Sequence, residues 1–191
     1  MSAEAFDPLF YAADDRLIGA LPREADLAAT VHELTANLET ELGRRAAPAD
    51  KARGKRTAAR FLAEASASFA RNRPLLEMLS TRYRLGIVSN FYGNLQQVCA
   101  DIGIDRHVQV AVDSTVLGFE KPDPRIFQAA LTALEVTPAE AVFVGDSLPR
   151  DMNGARDMGM PHIYVAPEGA ASCCPQDRVI ESVGQLLEIY A

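Results

Sequence analysis

Two apolar runs in this chain stop at side chains that could hold an anion or a cation. "LGIVSN" stops at Ser89-Asn90, and "AVFVGDSLPRD" stops at Gly145-Asp146, with a second carboxylate five residues on at Asp151. Between them, "GFEKPDPRIF" carries Lys121 ahead of a rigid Pro-Asp-Pro approach to a helix. A hydroxyl and an ammonium can hold phosphate oxygens, and two carboxylates can hold a hard cation such as Mg2+. Each piece alone has an ordinary reading. Ser-Asn after a strand is common turn chemistry, Lys-Pro is a usual loop, and Asp151 suits the first turn of a helix. The ordered set at these spacings is much less ordinary than its parts.

These groups can meet only if several strands end at one rim. Open parallel sheets bind ligands beyond the carboxyl ends of their strands. "LGIVSN", "VQVAVD", "AVFVGD" and "HIYVA" are short runs, β-branched or aromatic, without clean alternation. Strands buried on both faces look like this. Helical segments lie between them. "NLQQVCADIG" closes at Gly103, "DPRIFQAALTAL" opens with Asp123 as N-cap and Pro124 at N1, and "RDMNGARDMG" closes at Gly159. "RVIESVGQLLEIY" adds a last short strand and helix. The alternation predicts an α/β fold built on a doubly wound parallel sheet.

The first 83 or so residues are different, rich in Ala, Leu, Glu and Arg with almost no β-branched runs. "EADLAATVHELTANLETEL" sets Leu27, Val31, Leu34, Leu38 and Leu42 on one helical stripe. "ADKARGKRTAARFLAEASASFA" reads as a second helix with Gly54 its weak point. "RPLLEMLSTRY" reads as a third, with Pro74 in its first turn. The expected organisation is a helical region over 1–73 and an α/β core over 74–191.

The chain has 191 residues, 48% of them hydrophobic, which suits one domain with a core, or a core plus a small appendage. A net charge of −7 argues against nucleic acid or an acidic membrane face as partner. One basic stretch stands apart: Arg44, Arg45, Lys51, Arg53, Lys55, Arg56 and Arg60. It reads as a solvated helix face, or more sharply as a positive lid over an anionic substrate. Three cysteines, Cys99 and the adjacent Cys173-Cys174, make no disulfide framework and no paired Cys-x-x-Cys metal pattern. The acidic start "MSAEAFDPLFYAADD" lacks the features of a signal peptide. A cytoplasmic location is the expectation. Cys99 reads as a small buried hydrophobe, and Cys173-Cys174 as ordinary loop thiols. His32 reads as a boundary residue, His107 as a surface residue, and His162 as lying at the sheet's far end. Phe91 and Tyr92 either wall a pocket or pack the turn after Asn90.

Residues 75–190 resemble the haloacid dehalogenase superfamily of hydrolases. "LGIVSNFYGNL" is similar to its second motif, "LGFEKPDPRIFQAAL" to its third and "AVFVGDSLPRDMNGARDMGM" to its fourth. The helical residues before them resemble part of the cap that many members insert between the first two motifs. By that resemblance Ser89 and the amide of Asn90 bind the transferring phosphoryl group, and Lys121 neutralises charge. Asp146 binds Mg2+, and Asp151 supports it directly or through water. Dehalogenases proper work without this magnesium and usually carry Ser and Asn where this chain has "GDS". The resemblance therefore implies a Mg2+-dependent phosphatase acting on a small phosphorylated metabolite. A 2-haloacid dehalogenase-like enzyme and an inactive binder of a phosphorylated ligand or protein partner are the alternatives.

The family's first motif, Asp-x-Asp-x-Thr after an apolar strand, is not found before Ser89. "AFDPLFYAADD" is nearest and fails: Pro8 follows Asp7, and Asp14-Asp15 is adjacent rather than alternate. In the family the first Asp attacks phosphorus and the second acts as acid and base. The core is thus expected to lack its first strand, which in the family sits mid-sheet, and to turn over phosphate esters very slowly on its own. Three repairs of the sheet are open. The flanking strands pair directly; an N-terminal segment or a partner chain supplies a strand, which would favour an oligomer; or the protein extends upstream. The last is the favoured expectation, since motifs two to four are intact.

Overall fold

The computed structural model describes residues 1–45, 50–170 and 178–190; Cys173 and Cys174 fall outside them. The chain divides into two units, Met1–Ala70 with Phe91–Gly103, and Arg71–Asn90 with Ile104–Ala191.

The first unit is helical. It holds α1 (Ala3–Asp14), α2 (Leu27–Arg45), α3 (Lys51–Ser80) as far as Ala70, and α4 (Leu95–Asp101). Asp26 starts α2 by accepting the Ala29 N–H at 2.7 Å. The buried stripe of α2 is more polar than the leucine spacing predicts. Thr30, Val31, Thr35, Glu39 and Glu41 are buried, while Leu34, Leu38 and Leu42 are half-buried. The polar members are satisfied locally. Thr35 donates to the Val31 carbonyl at 3.0 Å. Glu39 accepts two Arg53 hydrogen bonds of 2.7 Å, which hold its carboxyl below the usual range. Glu41 takes both Arg16 and Arg44. The basic stretch is therefore largely spent on ion pairs: Arg44 and Arg53 as above, Arg56 with Asp50 at 3.7 Å and Arg60 with Glu64 at 2.8 Å. That is the solvated, paired face rather than a lid of free positive charge.

Where two helices are expected around Pro74, α3 runs through it as one. A proline inside a helix removes one hydrogen bond to the carbonyl four residues back. That carbonyl belongs to exposed Ala70, where water can replace the lost donor.

The second unit contains β1 (Gly86–Ser89), β2 (Val110–Asp113), α5 (Ser114–Leu117), α6 (Pro124–Leu134), β3 (Phe143–Gly145), α7 (Asn153–Asp157), β4 (His162–Val165), β5 (Arg178–Ile180) and α8 (Leu186–Tyr190). Every strand pairing is parallel, as the unalternating apolar runs predict. Asp123 caps α6 by accepting the Arg125 N–H, with Pro124 at N1. Helices cover both faces. On one, Ile126, Phe127 and Leu131 of α6 gather Val88, Val112 and Phe143. On the other, Leu75 and Leu79 of α3 and Leu186 of α8 gather Ile163, Ile180, Leu85 and Val144.

The sheet comes in two pieces, β1–β2 and β3–β4–β5, and among the described residues no ladder joins β1 to β3. Residues 3–14 are helix. Direct pairing of the flanking strands, and a strand from the N-terminal residues, are therefore not the arrangement found.

His107, expected at the surface, is only 9% exposed, with Nδ1 3.4 Å from the Ser80 hydroxyl. The Ile104–His107 turn folds it inward, a tertiary contact that the polar flanks Asp105 and Arg106 hide in the sequence. Cys99 is buried, and His162 opens β4 at the end away from Gly145.

Helices α6 and α7 meet at Gly154, where an added Cβ would lie 2.4 Å from the Phe127 ring. Gly154→Ala should lower unfolding free energy by about 1–3 kcal/mol through overpacking, read from the denaturant midpoint. In a Phe127→Leu background the same change should cost less.

Candidate functional site

The rim is assembled from three chain segments of the second unit. β1 ends at Ser89, half-buried and in register with Asp113 of β2. The next residue, Asn90, turns its side chain onto a distant backbone. Its Oδ1 accepts the Lys121 N–H at 2.7 Å, and its Nδ2 donates to the Lys121 carbonyl at 3.2 Å. Both peptide groups of Lys121 are thus held, which aims its side chain.

The Lys121 ammonium lies 2.7 Å from Asp151 Oδ1, with the two side chains 14% and 5% exposed. This is an ion pair by distance; the oxygen has no aligned hydrogen-bond donor among the described residues. The ammonium also sits 5.8 Å from the centre of the Phe143 ring. The other carboxylate oxygen of Asp151 accepts the N–H groups of Asp146 at 3.1 Å and Ser147 at 3.0 Å. Asp151 reaches them because a π-turn over Leu148–Met152 folds the chain back, started by Ser147. The fold-back needs a bare backbone at Gly145, where a Cβ would lie 2.5 Å from Asp151 Oδ2 and 2.6 Å from its Cβ.

Asn90, Lys121, Asp151 and the Asp146–Ser147 backbone therefore form one continuous set of contacts. Ser89 sits at its start, and the Asp146 side chain stands exposed at its end. The structure divides the two carboxylates by role. Asp151 has both oxygens engaged within the protein, so it orients Lys121 and the end of β3. Asp146 is the one left facing solvent. Among the described residues no group of three or more His, Cys, Asp or Glu side chains gathers as a metal site. Of the two carboxylates expected to serve a metal, Asp146 is exposed and Asp151 is buried against Lys121.

Two other carboxylates of this unit, Asp113 and Asp123, are also committed. Asp113 caps α5 by accepting the Thr115 N–H at 2.9 Å. Asp123 takes the Arg125 guanidinium at 2.9 and 2.6 Å, and that charge holds its carboxyl down at about 2. Arg125 in turn stacks 3.5 Å over the Phe119 ring. Tyr92 belongs to the helical unit, where its hydroxyl donates to Asp14. Burial, then the Asp14 carboxylate, push the phenol well above its ordinary range. Its ring lies 4.9 Å from Phe91, so packing is the role the structure displays.

Two contributions escape the motif reading. Asn90 acts here through its side chain rather than its amide, and Gly145 matters through the Cβ it lacks. A glycine directly before the acidic strand end is the one sequence sign of the second; nothing local marks the first.

The profile of the haloacid dehalogenase-like hydrolases matches residues 4–159. A bovine (Bos taurus) haloacid dehalogenase-like hydrolase domain-containing protein 3 is 38% identical over 109 residues, covering 54% of this chain and 43% of that protein. A phosphoserine phosphatase of Thermus thermophilus is 33% identical over 150 residues, covering 74% of this chain and 60% of that protein. The chain thus spans less than two thirds of either relative. A solved dehalogenase structure matches 100% of this chain and 85% of its own, with a TM-score of 0.66 at 23% identity, a likeness of fold. Among the described residues no helix is long and apolar enough to cross a membrane.

Asp151→Ala should destabilise the protein by about 3–5 kcal/mol, because it strands a largely buried ammonium. Lys121→Met with Asp151→Leu should recover much of that loss in chemical denaturation. The Asp123 carboxyl offers a pH test. Its folded pKa lies below the ordinary 3.8, so its stabilisation is present above 3.8 and fades as pH falls toward about 2. Arg125→Ala should return the Asp123 midpoint toward 3.8 in an NMR titration.

Proposed function

This chain belongs to the haloacid dehalogenase-like hydrolase family, and from that membership we propose that its rim serves phosphatase chemistry on a small phosphate ester. The observation that carries the reading is the Lys121–Asp151 ion pair, clamped by Asn90 beneath the Asp146–Ser147 amides. Ser89 and the Asn90 amide would bind phosphoryl oxygens, and Lys121 would face the same group. The likeness to a phosphoserine phosphatase supports a phosphomonoester as substrate class.

Charge explains why a cation belongs in this proposal. The Lys121 and Asp151 charges cancel, and Asp146 leaves these groups one net negative charge. A phosphomonoester brings a charge of about −1.5 to −2 and would be repelled. A divalent cation at Asp146 reverses that sign. Mg2+ suits the position, since it is commonly held by one or two carboxylates together with water and substrate phosphate oxygens. When bound it supplies charge neutralisation of the phosphoryl oxygens. Asp146 would hold it, and Asp151 would act by fixing the Asp146 backbone.

Attack on phosphorus is a separate requirement. Asp113, Asp123 and Asp151 are engaged in caps and ion pairs. That observation favours binding with little turnover.

Calorimetric titration of the chain with orthophosphate, with and without Mg2+, tests the reading. Mg2+ should strengthen phosphate binding, and Asp146→Ala should remove that gain. Lys121→Ala should weaken binding roughly tenfold or more, the scale of a lost charge-assisted contact. A panel of phosphomonoesters that includes phosphoserine should turn over very slowly. Halide release from 2-haloacids, with no phosphate binding, would make the chain dehalogenase-like instead.

A further inference from the structure

We propose that a cavity at the start of β3, β4 and β5 binds a small organic carboxylate with an apolar body, such as an arylacetate. The inference is independent of the phosphatase reading and concerns the second unit alone.

The cavity holds about 320 Å3, at the small end of the range for small-molecule sites. It lies at the opposite end of these strands from the rim. In the β3–β4 ladder Phe143 pairs with His162 at the cavity end, and Gly145 with Tyr164 at the rim end. In the β4–β5 ladder Ile163 pairs with Arg178, and both line the cavity.

Its walls are mostly apolar. Val142, Met160, Ile163 and Ile189 contribute most of them. Met160 and Ile163 are 7% and 3% exposed, whereas Val142 is 40% exposed. Core side chains thus form the floor, and the exposed valine stands at the mouth. Such a lining favours a hydrocarbon body over a sugar-like one, whose hydroxyls would lose water without finding partners.

The polar groups are few, and they set the ligand's charge. Arg178 is the permanently charged lining residue, and among the described residues no Asp or Glu joins the lining. Among the described residues Arg178 also makes no ion pair. Its guanidinium fork matches a carboxylate in charge and in shape. His162 Nδ1 lies 2.9 Å from the Met160 carbonyl, which can only accept, so that nitrogen carries the proton and the ring is fixed in the wall. Tyr190 is held as well. Its ring meets Tyr83 edge-on at 5.9 Å, and its carbonyl accepts the Tyr83 hydroxyl at 3.3 Å and Arg82 at 3.4 Å. An aromatic side chain placed this way suits a flat ligand body.

NMR titration of the isotope-labelled 191-residue chain with phenylacetate tests this. The Ile163, Arg178 and Tyr190 amides should shift along one saturating curve. Acetate, which lacks the body, and phenylacetamide, which lacks the charge, should each bind at least about tenfold more weakly, the scale of a lost charge-assisted contact. Arg178→Gln should weaken phenylacetate binding by a similar factor. Arg178 is exposed, so that variant should keep the parent spectrum away from the cavity. Orthophosphate with Mg2+ should not displace the ligand. Absence of a saturable shift would overturn the proposal. So would equal binding of acetate or phenylacetamide, unchanged affinity in Arg178→Gln, or displacement by phosphate.

Discussion

The rim depends on the ion pair between Lys121 and Asp151. Neither charge is well exposed, so each needs the other, and removing one partner from such a pair typically costs about 3–5 kcal/mol. Domain stabilities are themselves only about 5–15 kcal/mol. A pair of apolar side chains could stabilise the same place equally well. What an apolar pair could not do is fix an ammonium and two backbone amides at the mouth of a parallel sheet. The second Asp151 oxygen gathers the Asp146 and Ser147 N–H groups, and Asn90 holds both peptide groups of Lys121. One carboxylate thereby sets the geometry of residues far apart in the chain.

That polar set also links two sheet fragments that no ladder joins among the described residues. Asn90 continues from β1, Asp151 folds over the end of β3, and Lys121 lies between. Beneath the rim, α6 performs the apolar version of the same task by touching Val88, Val112 and Phe143. The demand on these contacts is high, because an interior strand normally carries hydrogen bonds on both edges. Close approaches at Gly145 under Asp151 and at Gly154 against Phe127 add to these contacts. Each brings an element nearer than a side chain would permit.

Much of this was legible in the chain itself. The unalternating runs at 85–90, 108–113, 141–146 and 162–166 contain the parallel strands, and Asp123-Pro124 marks the start of α6, because burial on both faces and capping leave local signatures. Lys121 and Asp151 were visible as charges at strand ends, but not as partners of each other. Pairing is a tertiary fact, and the spacing of "GDSLPRD" suits a metal ligand as readily as a folded-back anchor. Pro74 was read as a helix start, yet α3 passes through it beside a solvated turn. Glu39 and Glu41 interrupt the leucine stripe of α2 because arginines from other segments make their burial tolerable. His107 was hidden by its charged neighbours.

The rim is where two parallel ladders end. β1 and β3 run parallel to their neighbours and end at Ser89 and Gly145, with Lys121 held between them by Asn90 and Asp151. Holding a largely buried lysine in this way is costly, and Asp151 offsets that cost by balancing its charge. What these residues build is an ammonium, two backbone amides and one solvent-facing carboxylate, Asp146, gathered at a single rim.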